Sequence, residues 1–203
     1  MILKPASHKA IKYAIMNWHY SKSIPVVQCA YAVFENNKWC GVICYGSGAN
    51  TNIAKPYNLQ QGQVIELVRV ALNGKQSNTS KAVAISLKLV KRDNPLVKLI
   101  VSYADIDQDH TGVIYQATNW YYEGECNIGI RTGFIINGKK THNKTVHSKG
   151  VIQSLEAVRE KLDPNAEPYI TKGKHKYIYP LDKNLVPLCK RLSKKFPKNA
   201  SLA

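Results

Sequence analysis

Acidic side chains are scarce in this chain: 13 Asp and Glu stand against 29 Lys and Arg, a formal net charge of +16. That balance favours association with a polyanion through phosphate contacts and counterion release. A basic surface that only keeps a protein soluble is the alternative, but the uneven spread of the cations toward the C-terminus points to nucleic acid. Long apolar runs are missing too. None approaches the roughly 20 residues of a membrane-spanning helix, so no membrane partner is expected. The N-terminus, M-I-L-K-P-A-S-H-K, lacks the apolar centre of a signal peptide, which predicts a cytoplasmic protein. The five cysteines (Cys29, Cys40, Cys44, Cys126 and Cys189) are an odd number with no C-x-x-C pair. Neither a disulfide framework nor a zinc site fits that spacing. The glycine-containing stretch Gly46 to Asn52 has neither the lysine of a P-loop nor the spacing of a dinucleotide fingerprint, and reads as a loop bordering a pocket. Internal repeats and long linkers are also absent.

What is present suits one large domain with a real core: 44% of the residues are hydrophobic and 21% charged. Ser7 to Trp18 reads as an amphipathic helix capped by Ser7. It ends in W-H-Y-S, which puts His19 and Tyr20 just before a Ser/Pro turn. Val26 to Glu35 and Trp39 to Tyr45 read as a hairpin around Asn36-Asn37. Gln63 to Asn73 carries the strongest strand signal, apolar on both faces, so Glu66 and Arg69 need partners or a wet cleft. Gly74 to Ser80 leads into a helix from Lys81 to about Arg92. Small polar residues at such a start offer backbone N–H groups to an anion such as pyrophosphate, although many helices begin this way without a ligand.

The densest chemistry lies between Val101 and Gly124. Ser102, Tyr103, Asp105, Asp109, His110, Tyr115 and Asn119 crowd the end of an apolar run, followed by a polar loop and a short helix from about Gly112 to Asn119 with Thr111 as its cap. Polar residues past the carboxyl end of a buried strand form a common ligand-binding geometry in α/β folds. Asn127 to Ile136 reads as a further strand with an Asn137-Gly138 turn. K-K-T-H-N-K-T-V-H-S-K then reads as an exposed basic loop, and Val151 to Leu162 as a helix. K-G-K-H-K-Y-I-Y interleaves cations with Tyr177 and Tyr179. That suits phosphate contacts plus base stacking, or equally a surface strand with a solvated lysine face. A last helix spans about Leu185 to Phe196.

The order of helix, hairpin, long strand, anion-ready helix, strand, helix and strand resembles the GCN5-related N-acetyltransferase (GNAT) fold, an α/β class with a mixed central sheet flanked by helices. I-Y-Q-A-T-N-W, Ile114 to Trp120, resembles that family's tyrosine motif. It departs from it at Asn119-Trp120, and Lys75 to Ser80 lacks the family's glycines. W-H-Y-S (Trp18 to Ser21), E-L-V-R-V (Glu66 to Val70) and S-Y-A-D (Ser102 to Asp105), together with I-Y-Q-A-T-N-W-Y-Y-E-G, resemble the Mom family of phage DNA-modification proteins more narrowly.

The resemblance implies a GNAT-like catalytic core over residues 1–138 and a basic C-terminal extension, 139–203, packed on the same domain. It implies conversion of adenine in double-stranded DNA to an N6-carbamoylmethyl adduct, protecting phage DNA from host restriction, with acetyl-CoA as donor. Val70, Ala71 and Leu72 would hold the pantetheine arm, and Ser77, Asn78, Thr79 and Ser80 the pyrophosphate. Tyr115 would protonate the departing thiolate. His19, Tyr20, Arg69, Ser102, Tyr103 and Asp105 would line the acceptor site, with Asp105 or His19 as base. A flipped adenine would stack on aromatics such as Trp120, Tyr121 and Tyr122. Lys139, Lys140, Lys144, Lys174, Lys176, Lys190, Arg191, Lys194 and Lys195 would contact DNA. Iron held by His19 and Asp105 is a further expectation from residue types. Two rivals are an ordinary acyltransferase for a small amine or protein, and a non-catalytic DNA-binding protein on a degenerate GNAT scaffold.

Overall fold

A computed structural model describes residues 1–48 and 52–197. Residues 49–51 of the Gly46 to Asn52 loop therefore lie outside the described residues. The chain forms two compact units. The first comprises Met1–Ala104, Thr111–Gly124 and the chain from His175 onward; the second comprises Asp105–His110 and Glu125–Lys174.

The seven-stranded sheet runs in the order β1 (Ile2–Pro5), β2 (Cys29–Glu35), β3 (Lys38–Gly46), β4 (Val64–Leu72), β5 (Leu99–Asp105), β10 (Lys174–Pro180) and β6 (Tyr121–Cys126). β1 to β4 are antiparallel neighbours, whereas β4 and β5 are parallel. The Asn36-Asn37 turn holds both asparagines at positive φ, as a tight hairpin demands. α1 (His8–Trp18), capped by the Ser7 hydroxyl, lays Ile11, Ala14 and Ile15 against Val42, Cys44 and Ala71 on one sheet face. α2 (Thr79–Asp93), capped by Asn78, packs Ala82, Val83, Leu87 and Val90 against Tyr31, Val33 and Tyr45 on the other.

Several elements differ from the sequence expectation. The strand that opens as an apolar run continues through the polar Ser102 to Asp105. The helix that follows is a single turn, α3 (Val113–Gln116); Gly112 at φ 78 precedes it, with no side-chain cap from Thr111. The Thr111 carbonyl instead accepts from Tyr177 and Gln116. K-G-K-H-K-Y-I-Y forms an interior strand, β10, with Tyr177 and Ile178 fully buried. The alternation of cations and aromatics there is the period-2 alternation of a strand whose aromatic face is core. Trp120 and Tyr122 are buried in the same core, which removes both as platforms for a flipped base.

In the second unit, β7 (Arg131–Ile136) sits between β8 (Lys139–His142) and β9 (Glu167–Ile170). α4 (Asn143–Ser148) and α5 (Leu155–Lys161) close a core of Phe134, Val146, Val151 and Val158. The stretch expected as a basic loop is thus a strand and a helix. Val146 anchors it, packing with Phe134 of β7 and Val158 of α5. A final helix, α6 (Val186–Leu192), is shorter than expected and packs Leu188, Cys189 and Leu192 on the Tyr57, Leu99 and Ile178 cluster. Among the described residues no helix is long and apolar enough to cross a membrane.

Candidate active site

β4 and β5 pair only at Val64↔Leu99, Ile65↔Ile100 and Glu66↔Val101, although β4 runs on to Leu72 and β5 to Asp105. Beyond that fork, β4 keeps its partner only on the β3 side. A bulge falls at the fork: Cys44 faces Arg69 and Tyr45 faces Leu67, so Val68 is left out of the ladder. Arg69 donates to the Val68 carbonyl at 2.6 Å and, from two nitrogens, to the Ser23 carbonyl at 3.2 and 3.3 Å. It therefore ties the loop after α1 to β4.

Ser102, fully buried, bridges the first unpaired residue of each strand: its Oγ lies 2.8 Å from the Leu67 carbonyl and 2.8 Å from the Tyr115 hydroxyl. A serine has one proton to give and the carbonyl can only accept. In the resting arrangement Ser102 donates to Leu67 and Tyr115 donates to Ser102. A rotation of the serine hydroxyl turns the same proton onto the phenol oxygen. α3 seats Tyr115 because Gly112 leaves no room for a side chain: a Cβ there would lie 2.4 Å from the Tyr177 ring. The Tyr115 ring packs on Trp120 and Tyr177 at 5.1 and 5.0 Å between centroids. Burial pushes its hydroxyl up to about 12; the Ser102 hydrogen bond pulls the other way, and Tyr20, Glu66 and Tyr177 add to the rise. Tyr20 and Glu66 thus stand within electrostatic reach of the phenol.

The other expected residues fare differently. Tyr103 joins the Tyr57, Leu99 and Ile178 cluster, on the sheet face opposite Ser102 and Ala104, as strand alternation requires. His19 stacks on Tyr20 at 4.5 Å, and its Nδ1 accepts the Ser21 backbone N–H at 3.1 Å. The Ser21 hydroxyl lies 2.9 Å from the same nitrogen, so Nδ1 faces its own loop. The Asp105 carboxylate accepts from the Asp107 N–H and caps the short 3₁₀ turn Ile106–Gln108. Among the described residues no group of three or more His, Cys, Asp or Glu could hold a metal. His19 Nδ1 is taken by the Ser21 N–H and the Asp105 carboxylate by the Asp107 N–H, so this pair of donors does not fit iron.

The loop before α2 holds an unforeseen occupant. The Glu35 carboxylate takes the Ser77 N–H at 2.6 Å and the Ser77 hydroxyl at 2.7 Å, and those two bonds hold it below the usual glutamate range. Gln76 Oε1, in the same loop, is buried with no partner. Contacts across 42 residues of sequence leave no local signal, so Glu35 could not have been read from the chain alone. His175 was missed for the same reason; it is buried, 2.9 Å from the Tyr122 hydroxyl.

Of the expected DNA contacts, Lys190, Arg191, Lys194, Lys195, Lys139 and Lys144 are exposed. Lys176 is instead half-buried in an ion pair with Glu123 at 3.1 Å, over the Tyr57 ring. Lys140 donates to the Tyr169 hydroxyl and sits over that ring at 4.4 Å. Lys174 is half-buried at the start of β10.

A profile of the Mom protein family matches residues 1–198. The chain belongs to the Mom protein family. A curated relative, "Methylcarbamoylase mom" from Escherichia phage Mu, is 27% identical over 141 residues, which covers 66% of this chain and 56% of that protein. The match therefore spans little more than half of the relative's length. Among solved structures, a spermidine N-acetyltransferase chimera of Vibrio cholerae and hSSAT superposes with a TM-score of 0.50 at 8% identity, covering 91% of this chain and 99% of that one. An acetyltransferase from Bacillus subtilis in complex with CoA gives a TM-score of 0.48 at 10% identity over 88% and 97%. The family's fold in this chain is that of the GNAT acetyltransferases.

Proposed function

We propose that this protein is a DNA-modifying transferase that acts on adenine with acetyl-CoA as the two-carbon donor, giving an N6-carbamoylmethyl adduct that shields phage DNA from host restriction. Its own residues serve the release of the thiolate; the amide nitrogen and the two-electron oxidation that joins the methyl carbon to N6 come from an amine donor and an oxidant outside this chain. The observation that carries the reading is the fork between β4 and β5 with the Ser102–Tyr115 pair at its root, in a chain of the Mom family. The unpaired backbone of Val70, Ala71 and Leu72 suits the amides of a pantetheine arm, which hydrogen-bond as an added strand would. Ser77, Asn78, Thr79 and Ser80, at the positive end of α2, suit its diphosphate. The bound donor supplies an activated thioester whose sulfur departs as a thiolate.

Tyr115 gives its proton to that sulfur. Its raised pKa keeps it protonated at neutral pH, and its burial leaves the phenolate it becomes in need of a donor. Ser102 meets that need by turning from the Leu67 carbonyl to the phenolate. Tyr20 lines the acceptor side of Tyr115. Arg69 holds the loop that carries Tyr20. Asp105 is the proposed base. The adenine amine is a poor nucleophile because its lone pair is delocalised into the ring, so extrusion from the duplex and orientation matter as much as proton removal. Exposed Lys190, Arg191, Lys194 and Lys195 supply phosphate contacts. The Glu35–Ser77 contact favours a second reading, a DNA-binding protein that no longer takes the donor, since a carboxylate holds part of the expected diphosphate seat. Expression in a bacterium followed by mass spectrometry of digested plasmid nucleosides separates the two. A new adenosine species supports the enzyme, and an unchanged profile with soluble protein supports the binder.

A further inference from the structure

Trp18, the first residue of the W-H-Y-S stretch, is left unused by the proposed chemistry. Trp18 ends α1 beside Trp39 of β3, with ring centroids 4.9 Å apart, and Tyr13 contacts both at 5.5 and 5.8 Å. The three rings form one wall of a groove of about 700 Å³, with Phe34 of β2 also lining it and Lys4 and Lys9 at its edge. No acidic residue lines it. Tyr13 is 53% exposed, a large aromatic left open to water. The Trp39 indole N–H is already spent on the Gly41 carbonyl at 2.9 Å, so its ring is fixed in place.

A fixed aromatic wall beside two cations and no anion is the chemistry of a stacking platform for a nucleotide, whose base has a π-face and whose phosphate is anionic. We propose that this groove is a second nucleic-acid site: it takes an unpaired nucleotide of a DNA strand, the base against Tyr13 and the indoles, the phosphate at Lys4 and Lys9. The bulk charge of +16 favours a strand over a neutral apolar ligand. The groove lies on the α1 face, whereas Tyr115 and Ala104 lie in the cluster on the α2 face. The inference shares the nucleic-acid part of the proposed function and stands apart from its catalytic part.

The protein reports on this groove by itself, because two of its three tryptophans line it. The full chain is titrated at low salt with a short single-stranded oligodeoxynucleotide while tryptophan fluorescence is followed. The expected result is saturable quenching that fades with salt. An abasic strand of the same length should quench far less. Tyr13→Ala, an exposed position, should weaken binding roughly tenfold. Lys4→Glu with Lys9→Glu should weaken it by at least as much, with the melting temperature and nucleoside modification of plasmid DNA kept. No quenching by the strand overturns the proposal. So does quenching that all these variants leave unchanged. Adenosine 3′,5′-bisphosphate is the control for the other source of a base with phosphates, the nucleotide end of the donor. If it saturates the groove and the strand does not, the DNA assignment is wrong.

Discussion

Replacing Glu35 by Gln tests whether the loop before α2 is the donor's anchor. The Glu35 carboxylate accepts both the N–H and the hydroxyl of Ser77, two of the donors that a diphosphate would use. Glutamine keeps an acceptor for the N–H, so the loop stays tethered, but it removes the negative charge. Two like charges about 4 Å apart in water-like surroundings change an affinity by about fivefold. Glu35→Gln should therefore tighten CoA binding several-fold at low salt, read by titration calorimetry. The gain should vanish near molar salt, where the screening length shrinks to about 3 Å. The pH dependence has a defined sign. Because the folded-state value of Glu35 is lowered, its contact is complete above the ordinary glutamate range and is lost as pH falls through the lowered value. CoA affinity of the parent chain should rise in that acid window, and that of Glu35→Gln should stay flat. Unchanged or weaker CoA binding by Glu35→Gln at low salt would refute the placement of the diphosphate at Ser77.

Further expectations follow from the same geometry. Tyr115→Phe should cut turnover roughly a hundredfold with little loss of stability, because Ser102 keeps the Leu67 carbonyl as its partner. Ser102→Ala should do the reverse in rank: it orphans that carbonyl and the phenol, costing about 1–3 kcal/mol in urea unfolding, with a smaller loss of turnover. Asp105→Asn keeps a competent cap for the Asp107 N–H and removes the charge, so lost modification with an unchanged melting temperature and DNA affinity would assign Asp105 to chemistry; retained modification would leave it a cap. Alkaline stability should collapse early. The Tyr115 value is raised from near 10 in the unfolded chain to about 12, so its contribution is intact below pH of about 10 and falls by about 3 kcal/mol as pH rises toward 12. Tyr31, Tyr45, Tyr57 and Tyr177 shift the same way; a flat unfolding midpoint over that window would contradict their burial. Joint loss of Lys190, Arg191, Lys194 and Lys195 should flatten the salt dependence of DNA binding by up to about 3–4 units of slope while leaving the fork intact.

Elements with strong local patterning were legible in the sequence. α1 and its Ser7 cap, the β2–β3 hairpin and its Asn-Asn turn, β4 and α2 follow from apolar periodicity and turn chemistry, which act within a few residues. Ser102 and Tyr115, which the structure brings within 2.8 Å of each other, stand out in the sequence because polar groups crowd the end of an apolar strand. What escaped depends on contacts far apart in sequence. β10 inserts between β5 and β6, and that alone turns a lysine- and tyrosine-rich stretch into core and takes Lys176 from solvent to Glu123. Trp120 and Tyr122 follow it inward. Glu35 meets Ser77 only because the hairpin tip lies beside the start of α2. Tyr103 was grouped with Ser102 by adjacency, whereas strand alternation sends neighbours to opposite faces.

The most direct test of the account couples product to mechanism: mass spectrometry of nucleosides from plasmid DNA grown with the parent chain and with Tyr115→Phe, at matched soluble protein. The account predicts a new deoxyadenosine species in which one hydrogen is replaced by a carbamoylmethyl group, with the matching mass, strongly reduced in Tyr115→Phe. Unmodified deoxyadenosine from the parent chain, or undiminished product from Tyr115→Phe, would contradict it.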